Sequence, residues 1–259
     1  MTIKTRLGSS GHGIQRRGIF ASMNPIEANP IGASNEFPVC RPILQSGVRS
    51  HSDAVGTWSQ NGNVITIARA AHGVLVGDKY AFMPTAGTGT LPAAGLYDVA
   101  TTPNANTLTL VSATSSTGAG TMAGTGKQII YSGIVPGRSI GMNGSLKIYI
   151  RTGVNYSANA KTFELAFGGI AFAVYNAMNI ASTEMMLLIT NKNSETVQQK
   201  ATGSGMFSNS GAYNTGNTWG TASIDTTTDQ LVEIRVTKAS GIETAFLDSI
   251  LVEITPSLD

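Results

Sequence analysis

A nucleotide-binding loop is the first chemistry that the sequence suggests, because Ala123-Gly-Thr-Gly-Lys127 resembles half of a phosphate-binding loop. A complete loop has a glycine five residues before its Gly-Lys pair and a Ser or Thr after it, which cradle phosphates and bind magnesium. Thr121 and Gln128 stand at those two positions. The sequence therefore predicts no nucleotide site and no cofactor.

The histidines and the cysteine would bind a metal only if several of them came together. His12, His51 and His72 are isolated from one another, and Cys40 is the single cysteine. A metal site formed by one segment places a second ligand a few residues from the first. We therefore predict no metal site. We expect His72 to close a turn by a hydrogen bond, and Cys40 to be a small buried side chain.

Paired carboxylates can cleave a glycosidic bond, and Asp225, Asp229 and Glu233 are spaced four residues apart. That spacing aligns side chains on a helix, but Thr226-Thr-Thr228 is β-branched and favours an extended chain. In a loop followed by a strand, nothing local brings the three carboxylates together. We predict that the protein is not an enzyme.

Aromatic side chains among amides and hydroxyls are the remaining binding candidates. Tyr156 is flanked by Asn and Ser at a loop tip, and Phe207, Tyr213 and Trp219 belong to one longer loop. Aromatic faces beside amides and hydroxyls suit a sugar ring or a protein partner. The other interpretation is that Tyr213 and Trp219 pack at the core end of the sheet. Both stay open at this point.

The composition favours a protein that stays in contact with neighbours. Only 12% of the 259 residues are charged, against about 25% in ordinary soluble domains. Neutral hydroxyls and amides are easier to desolvate than charges. The net charge of +2 is too small to indicate nucleic-acid binding. No apolar stretch approaches the about 20 residues that span a membrane, so we expect no membrane insertion.

Basic residues are concentrated in the first part of the chain. Residues 1–45 contain Arg6, Arg16 and Arg17 among closely spaced glycines and prolines, which rule out a long helix. We predict an extended arm that docks on a partner chain through these arginines. Acidic residues accumulate from Asp225 onward, so the arm and the C-terminal region of a neighbour would attract each other; an ordinary solvated tail is the alternative. No hydrophobic region follows Arg16-Arg17, so we expect no cleaved leader.

Strict alternation between Gly144 and Ile254 predicts β-strands with one face on a core. Gly168-Gly169 predicts a tight hairpin, after which Ile170, Phe172 and Val174 return along the preceding strand. The short apolar stretch Thr183–Leu188 fits a buried strand better than a helix. The residues expected to face the core are Leu146, Ile148, Ile150, Phe163, Leu165, Phe167, Val232, Ile234, Val236, Ile250, Val252 and Ile254.

A second, smaller β unit is predicted at 56–127, inserted into one larger β domain formed by 46–55 and 128–259. Its strands are indicated near Ile65, Tyr80, Leu96 and Leu108. The tract from Ser112 to Gly126 is almost wholly Ser, Thr, Gly and Ala and is interpreted as a linker. Leu44–Val48 is interpreted as a strand cut short by the insertion, and Gln128–Tyr131 as its resumption.

The stretch Ile134-Val-Pro-Gly-Arg-Ser-Ile-Gly-Met-Asn-Gly-Ser-Leu-Lys-Ile148 resembles a motif in virion proteins of tailed bacteriophages, in which a Pro-rich turn and Asn-Gly-Ser-Leu precede a strand. The resemblance covers residues 129–259 and part of 39–55, and continues in Asn155–Phe163, Phe167–Gly169 and Ile224–Gln230. The inserted unit is separately similar to small β modules of phage fibres, through Ala71–Asp78 and Gly95–Val99.

The resemblance implies an all-β, jelly-roll-like antiparallel β-sandwich with no catalytic residue. It also implies that the protein forms a homotrimer on the virion, which is assembled in the host cytoplasm. Because no fibre shaft follows the arm, a capsid decoration or cement protein, bound to the major capsid protein, is the first expectation. The alternative is a tail-fibre or receptor-binding protein that recognises host glycan through residues such as Tyr156, Phe207, Tyr213 and Trp219. A tailspike-like depolymerase would need carboxylates that the sequence does not bring together.

Overall fold

The computed structural model describes residues 41–257, except 180, 203–205, 209–210 and 214–218. The regular elements described there are β-strands, as the alternating pattern predicts. In chain order they are β1 (Arg41–Ser46), β2 (Ser50–His51), β3 (Val55–Ala68), β4 (Lys79–Phe82), β5 (Pro84–Gly89), β6 (Gly95–Asn104), β7 (Thr107–Ala123), β8 (Gln128–Val135), β9 (Ser145–Val154), β10 (Lys161–Phe167), β11 (Ile170–Asn176), β12 (Ser182–Asn191), β13 (Gln198–Thr202), β14 (Met206–Ser208), β15 (Gly211–Tyr213), β16 (Trp219–Ala222), β17 (Gln230–Lys238) and β18 (Ala245–Thr255).

The strands form two sheets that pack as a sandwich. Of the described strands, 14 belong to the large sheet, with the order β15-β14-β12-β9-β18-β2-β4-β6-β7-β3, while β1, β5, β13 and β16 pair off this path. The small sheet has the order β11-β10-β17-β8. Strands β2 and β4 are parallel, and the other described pairings are antiparallel. The predicted all-β, jelly-roll-like antiparallel sandwich is confirmed.

The sandwich core consists of the alternate side chains that the sequence pattern predicts. Leu146 and Ile148 of β9 are fully buried between the sheets, and so are Phe163 and Leu165 of β10. Fully burying a side chain of this size contributes about 1.5–3 kcal/mol. All twelve of the predicted inward residues are buried, and Thr183–Leu188 lies in strand β12.

The hairpin between β10 and β11 forms as predicted, but the side chains of β11 do not follow the predicted face. Gly168 and Gly169 have φ values of 54° and 81°, which a glycine adopts without strain. Phe172 is buried, whereas Ile170 and Val174 are exposed. The pairing register shifts opposite Leu165/Ala166, and such a shift moves later side chains to the other face.

Residues of strands β3, β4, β6 and β7 form a second apolar core, separate from that of the sandwich. Its largest buried side chains are Trp58, Tyr80 and Phe82, packed with Ile65, Ile67, Leu108 and Leu110. The Phe82 ring lies edge-on to Trp58, with 6.2 Å between ring centroids. The strands predicted in this region are present. The domain boundaries at residues 56 and 127 stay a prediction.

The interpretation of Ser112–Gly126 as a linker is wrong. Most of this tract lies in β7, where it pairs with β3 on one side and β5 on the other. A side chain at Gly120 would place its Cβ 1.8 Å from the carbonyl oxygen of Ala86. The small residues therefore allow strands to approach closely; their composition resembles that of a linker because both need small side chains.

Two predictions about the chain around the insertion are also wrong. Strand β1 pairs with β18 in the large sheet, whereas β8 pairs with β17 in the small sheet, so β8 is not a resumption of β1. Residues 41–45, assigned to the arm, belong to β1. The rest of the arm lies outside the described residues. Among the residues described, no helix is long and apolar enough to cross a membrane.

Candidate functional site

The residues of the rejected phosphate loop and of the carboxylate trio have separate structural partners. Lys127 Nζ lies 2.9 Å from the carboxylate of Glu164. Asp229 Oδ1 accepts a hydrogen bond from the backbone N–H of Gly137 at 2.9 Å. Glu233 forms an ion pair with Arg235. Lys127 and Glu233 belong to one charge network on the small sheet, because Arg235 also lies 3.9 Å from Glu164, whereas Asp229 holds a separate turn.

The third carboxylate of the trio, Asp225, closes its own turn. Its Oδ1 accepts hydrogen bonds from the backbone N–H of Thr227 at 3.0 Å and from the Thr227 hydroxyl at 2.5 Å. These hydrogen bonds hold the pKa of Asp225 below its usual value. As the sequence predicts, the local geometry does not bring the trio to one point.

His72 closes a turn, as predicted. Its Nδ1 accepts the backbone N–H of Val74 at 3.0 Å, so Nε2 carries the proton and faces the carbonyl oxygens of Asn104 and Thr107 at 3.0 and 3.2 Å. In the described part of the chain, no group of three or more His, Cys, Asp and Glu side chains could hold a metal ion. His12 and Cys40 lie outside the described residues.

His51 has a role that the sequence did not suggest. Its Nε2 lies 2.8 Å from Asp78 Oδ2, and both side chains are buried. Burial lowers the pKa of His51, although Asp78 acts in the opposite direction. The pair lies beside the parallel contact between β2 and β4 and so links the sandwich to the second core.

Tyr156 occupies a loop tip between β9 and β10, and its side chain is 67% exposed. The neighbouring polar groups point inward, however. Ser157 Oγ donates to Glu243 Oε2 at 2.8 Å, and Asn159 Nδ2 donates to Glu243 Oε1 at 2.6 Å. The amides and hydroxyls expected to assist Tyr156 in binding are therefore used to satisfy a buried carboxylate.

A buried cluster of polar and charged groups, formed by Asp53, Tyr80 and Lys238, lies between the two cores. Lys238 Nζ donates to the backbone carbonyls of Asp53 and, at 2.9 Å, of Glu243, and contacts Ser52 Oγ at 3.1 Å. Asp53 Oδ1 accepts the Tyr80 hydroxyl at 3.2 Å, while within the described structure its Oδ2 has no hydrogen-bond partner. Since Tyr80 belongs to the second core and Lys238 to β17, the cluster joins the two.

The charges of this cluster titrate close to neutrality. Burial raises the pKa of Asp53 to about 6, against the effect of Lys238. Burial lowers the pKa of Lys238 to about 7, and the charge of Arg69 acts in the same direction. General acid–base catalysis uses such pKa values, but the exposed fractions of Asp53 and Lys238 are 0% and 2%. Closed off from any substrate, the pair is structural.

An open groove of about 500 Å³ lies on the outer face of the large sheet. Its floor is a row of partly exposed side chains in cross-strand register: Tyr149 of β9 pairs with Met186 of β12 and with Leu251 of β18. Residues 45–47 line it as well. An aromatic ring between two apolar neighbours provides a flat surface against which a ligand can pack.

Charged side chains flank this floor and are paired with each other. At one end, Arg151 Nε lies 2.9 Å from Glu184 Oε1, and Nη2 lies 2.5 Å from the same oxygen. At the other end, Lys147 Nζ lies 4.0 Å from Glu253 and 5.6 Å from the centroid of the Tyr149 ring. The groove therefore offers donors and acceptors without an unpaired charge at either end.

The long loop predicted to hold three binding aromatics contains strands. Phe207 lies in β14 and pairs with Glu184, which lines the groove. Tyr213 lies in β15 and pairs with Met206, and Trp219 lies in β16 and pairs with Ala201. These strands extend the large sheet beyond β12. The side chains of the three aromatics, and Arg6, Arg16 and Arg17, lie outside what the structure describes.

The sequence did not identify Tyr149 as a candidate, because it stands at a solvent-facing position of a regular strand. The available signal was local: Lys147, Tyr149 and Arg151 alternate with buried residues and place an aromatic ring between two cations. Nothing in the sequence showed that Glu184 and Glu253 on neighbouring strands would neutralise those cations.

Comparisons with known proteins add little to this site. Neither a protein-family model nor a curated protein sequence matches the chain. Similar solved structures include Lotus tetragonolobus seed lectin (isoform), 11% identical with a TM-score of 0.29 over 51% of this chain and 82% of the lectin. Peanut lectin with a 9mer peptide is 9% identical with a TM-score of 0.28 over 74% and 97% of the two chains. At TM-scores this low, the similarities carry no argument about function.

Proposed function

We propose that this protein is a non-enzymatic structural protein of a bacteriophage particle, acting as a capsid decoration or cement protein. The sequence supports this through the resemblance of Ile134–Ile148 and Asn155–Phe163 to virion proteins of tailed bacteriophages. The first segment runs from the end of β8 into β9, and the second leads into β10. The resemblance thus falls on the connections that lead into β9 and β10.

The observation that carries the proposal is the internal pairing of charges. Glu164 and Glu233 pair with Arg235 on the small sheet, and Arg151 pairs with Glu184 on the large one. A surface whose charges are already paired costs less to desolvate when it meets another subunit. Low charge content and internal pairing together suit permanent contact better than free diffusion.

The proposed mechanism is burial of these neutral faces between copies and onto the capsid shell. Permanent contacts of this kind typically bury 2,000 Å² or more, by the general size of obligate interfaces. A closed homotrimer would satisfy them by symmetry. The major capsid protein is the proposed partner beneath the copies, in the virion.

The arm is proposed to contribute through Arg6, Arg16 and Arg17. Three of the C-terminal carboxylates, Glu243, Asp248 and Glu253, already form ion pairs within their own chain. Asp225 and Asp229 are exposed in the turn before β17. These two carboxylates are the proposed contacts for the arm's arginines.

The location can be tested directly on purified phage particles. We expect antibodies against this chain to label the capsid in immunogold electron microscopy, and quantitative mass spectrometry to find many copies per particle. Labelling confined to the tail tip would favour the alternative below. A particle preparation without the chain would contradict both.

Recognition of host glycan by a tail-fibre or receptor-binding protein is the second candidate, and the groove at Tyr149 favours it. An aromatic ring beside paired Arg and Glu side chains can stack against a sugar ring and hydrogen-bond its hydroxyls. In a glycan array, Tyr149→Ala should abolish binding, whereas the loop-tip variant Tyr156→Ala should not. Trp219→Ala in the same array tests whether β16 contributes to glycan binding. Absence of glycan binding by the unmodified protein would remove this candidate.

A further inference from the structure

The outer face of the small sheet is unusually apolar for a sheet surface in contact with water. Ile129 and Ile134 on β8, Leu231 on β17 and Val174 on β11 are 44%, 54%, 42% and 55% exposed. Outer faces of antiparallel sheets normally alternate to polar residues. Here, aliphatic side chains occupy both edge strands, β8 and β11, and β17, one of the two strands between them.

These aliphatic residues surround a row of paired charges on the same face. In register across the sheet stand Val174, Glu164, Arg235 and Ile129. Arg235 lies 3.9 Å from Glu164 and also pairs with Glu233, next along β17. Lys127 pairs with Glu164 at 2.9 Å. Two cations and two anions therefore leave this face with no net charge.

We propose that this face is a contact between two copies of the chain. A neutral face does not select nucleic acid or a strongly charged partner, which would need a charge excess. Positive and negative groups alternate along the row, so a second copy turned through half a revolution can set each cation opposite an anion. The aliphatic side chains then bury each other as two sheets stack about 10 Å apart.

This inference deepens the proposed function by naming one of its surfaces, and it rests on that function for the idea of permanent contact. Exposed aliphatic side chains left uncovered favour non-specific association. A second copy stacked on this face removes them from water. The contact is isologous, since the same patch is used on both copies.

Sedimentation velocity of the full-length chain tests the inference. The unmodified protein should sediment as a dimer, or as a hexamer where two of the proposed homotrimers pair through this face. Val174→Lys should raise the dissociation constant at least tenfold, because each copy then buries an added, unpaired cation against aliphatic side chains of the other. Val111→Lys is the matched control: Val111 is 56% exposed on the second core's outer surface and pairs with Val64. It should leave the dissociation constant unchanged.

Ile134→Lys, at the opposite edge of the face, is a second, independent variant that tests the same contact if Val174→Lys impairs folding. It should weaken association equally. If both variants keep the oligomeric state of the unmodified protein and melt at close to its melting temperature, the proposed contact at this face is wrong. The proposed function would still stand. A monomeric unmodified protein at high concentration would overturn both.

Discussion

Lys161 Nζ lies 3.4 Å from Glu243 Oε2, and the exposed fractions of the two side chains are 0% and 2%. The ammonium also contacts Ser157 Oγ at 2.8 Å and the carbonyl oxygen of Asn155 at 3.1 Å. Burial acts to raise the pKa of Glu243, but hydrogen bonds from Asn159 and Ser157 outweigh it and hold that pKa below its usual value. The pair fixes the loop at Tyr156 to the connection before β18.

Removing the lysine of this pair should be costly. Lys161→Met leaves the carboxylate of Glu243 buried without its counter-ion, which typically costs about 3–5 kcal/mol. The double variant Lys161→Met/Glu243→Leu should recover much of the loss, because neither charge of the pair is then left without its partner. Urea unfolding followed by circular dichroism measures both. Lys79→Met provides the control, since its ion pair with Asp98 is exposed and should be worth about 1 kcal/mol or less. Equal costs for Lys161→Met and Lys79→Met would refute the structural role of the buried pair.

Asp53 should make stability fall as the pH rises towards neutrality. Its pKa rises from 3.8 to about 6 on folding, so between these values the folded chain holds a proton that the unfolded chain has lost. The stabilising contribution is complete below about pH 4 and is lost as the pH rises through 6, by about 3 kcal/mol. Asp53→Asn should remove this decline in urea unfolding between pH 4 and 7. Asp98→Asn, at an exposed site, should retain it; a decline that survives in Asp53→Asn would contradict the assignment.

Lys238 should have the opposite effect at higher pH. Its pKa falls from 10.5 to about 7 on folding, so the stabilising contribution is complete above about pH 10.5 and is lost as the pH falls through 7. Stability of the unmodified protein should therefore rise with alkalinity from about pH 7. Lys238→Met should flatten this rise. Thermal melts from pH 7 to 9.5 measure it, and an unchanged slope in the variant would exclude Lys238 as its source.

Gly120 should tolerate no side chain. Because a Cβ there would lie 1.8 Å from the Ala86 carbonyl oxygen, Gly120→Ala must separate β5 from β7, at a cost of about 1–3 kcal/mol. Fluorescence of Trp58, in the adjoining core, reports the change. Gly95→Ala is the control in the same region, since its Cβ would make ordinary contact, at 3.8 Å, with Tyr97. Indistinguishable stabilities for the two variants would show that β5 and β7 are not so close.

The sandwich strands were predictable because their information is local. Leu146, Ile148 and Ile150 occupy alternate positions, and the period of two alone places them on one face. The turn at Gly168-Gly169 and the hydrogen bond from the Val74 backbone N–H to His72 Nδ1 were predictable for the same reason, since each depends on a few neighbouring residues.

The features that could not be predicted from the sequence depend on residues far apart along the chain, or on a composition that fits two different structures. Asp53 and Lys238 are 185 residues apart along the chain, so no spacing rule connects them. Strand β7 was hidden because its serines, threonines and glycines fit a linker equally well until Gly120 is seen against Ala86. The groove at Tyr149 was hidden because its floor combines one residue from each of three strands.

Cryo-electron microscopy of the phage particle tests the central claim most directly. The account predicts repeated density on the capsid surface into which the two-sheet sandwich fits, with neighbouring copies in contact. Capsids without such density, in particles shown to contain the chain at the tail tip or not at all, would contradict a decoration role.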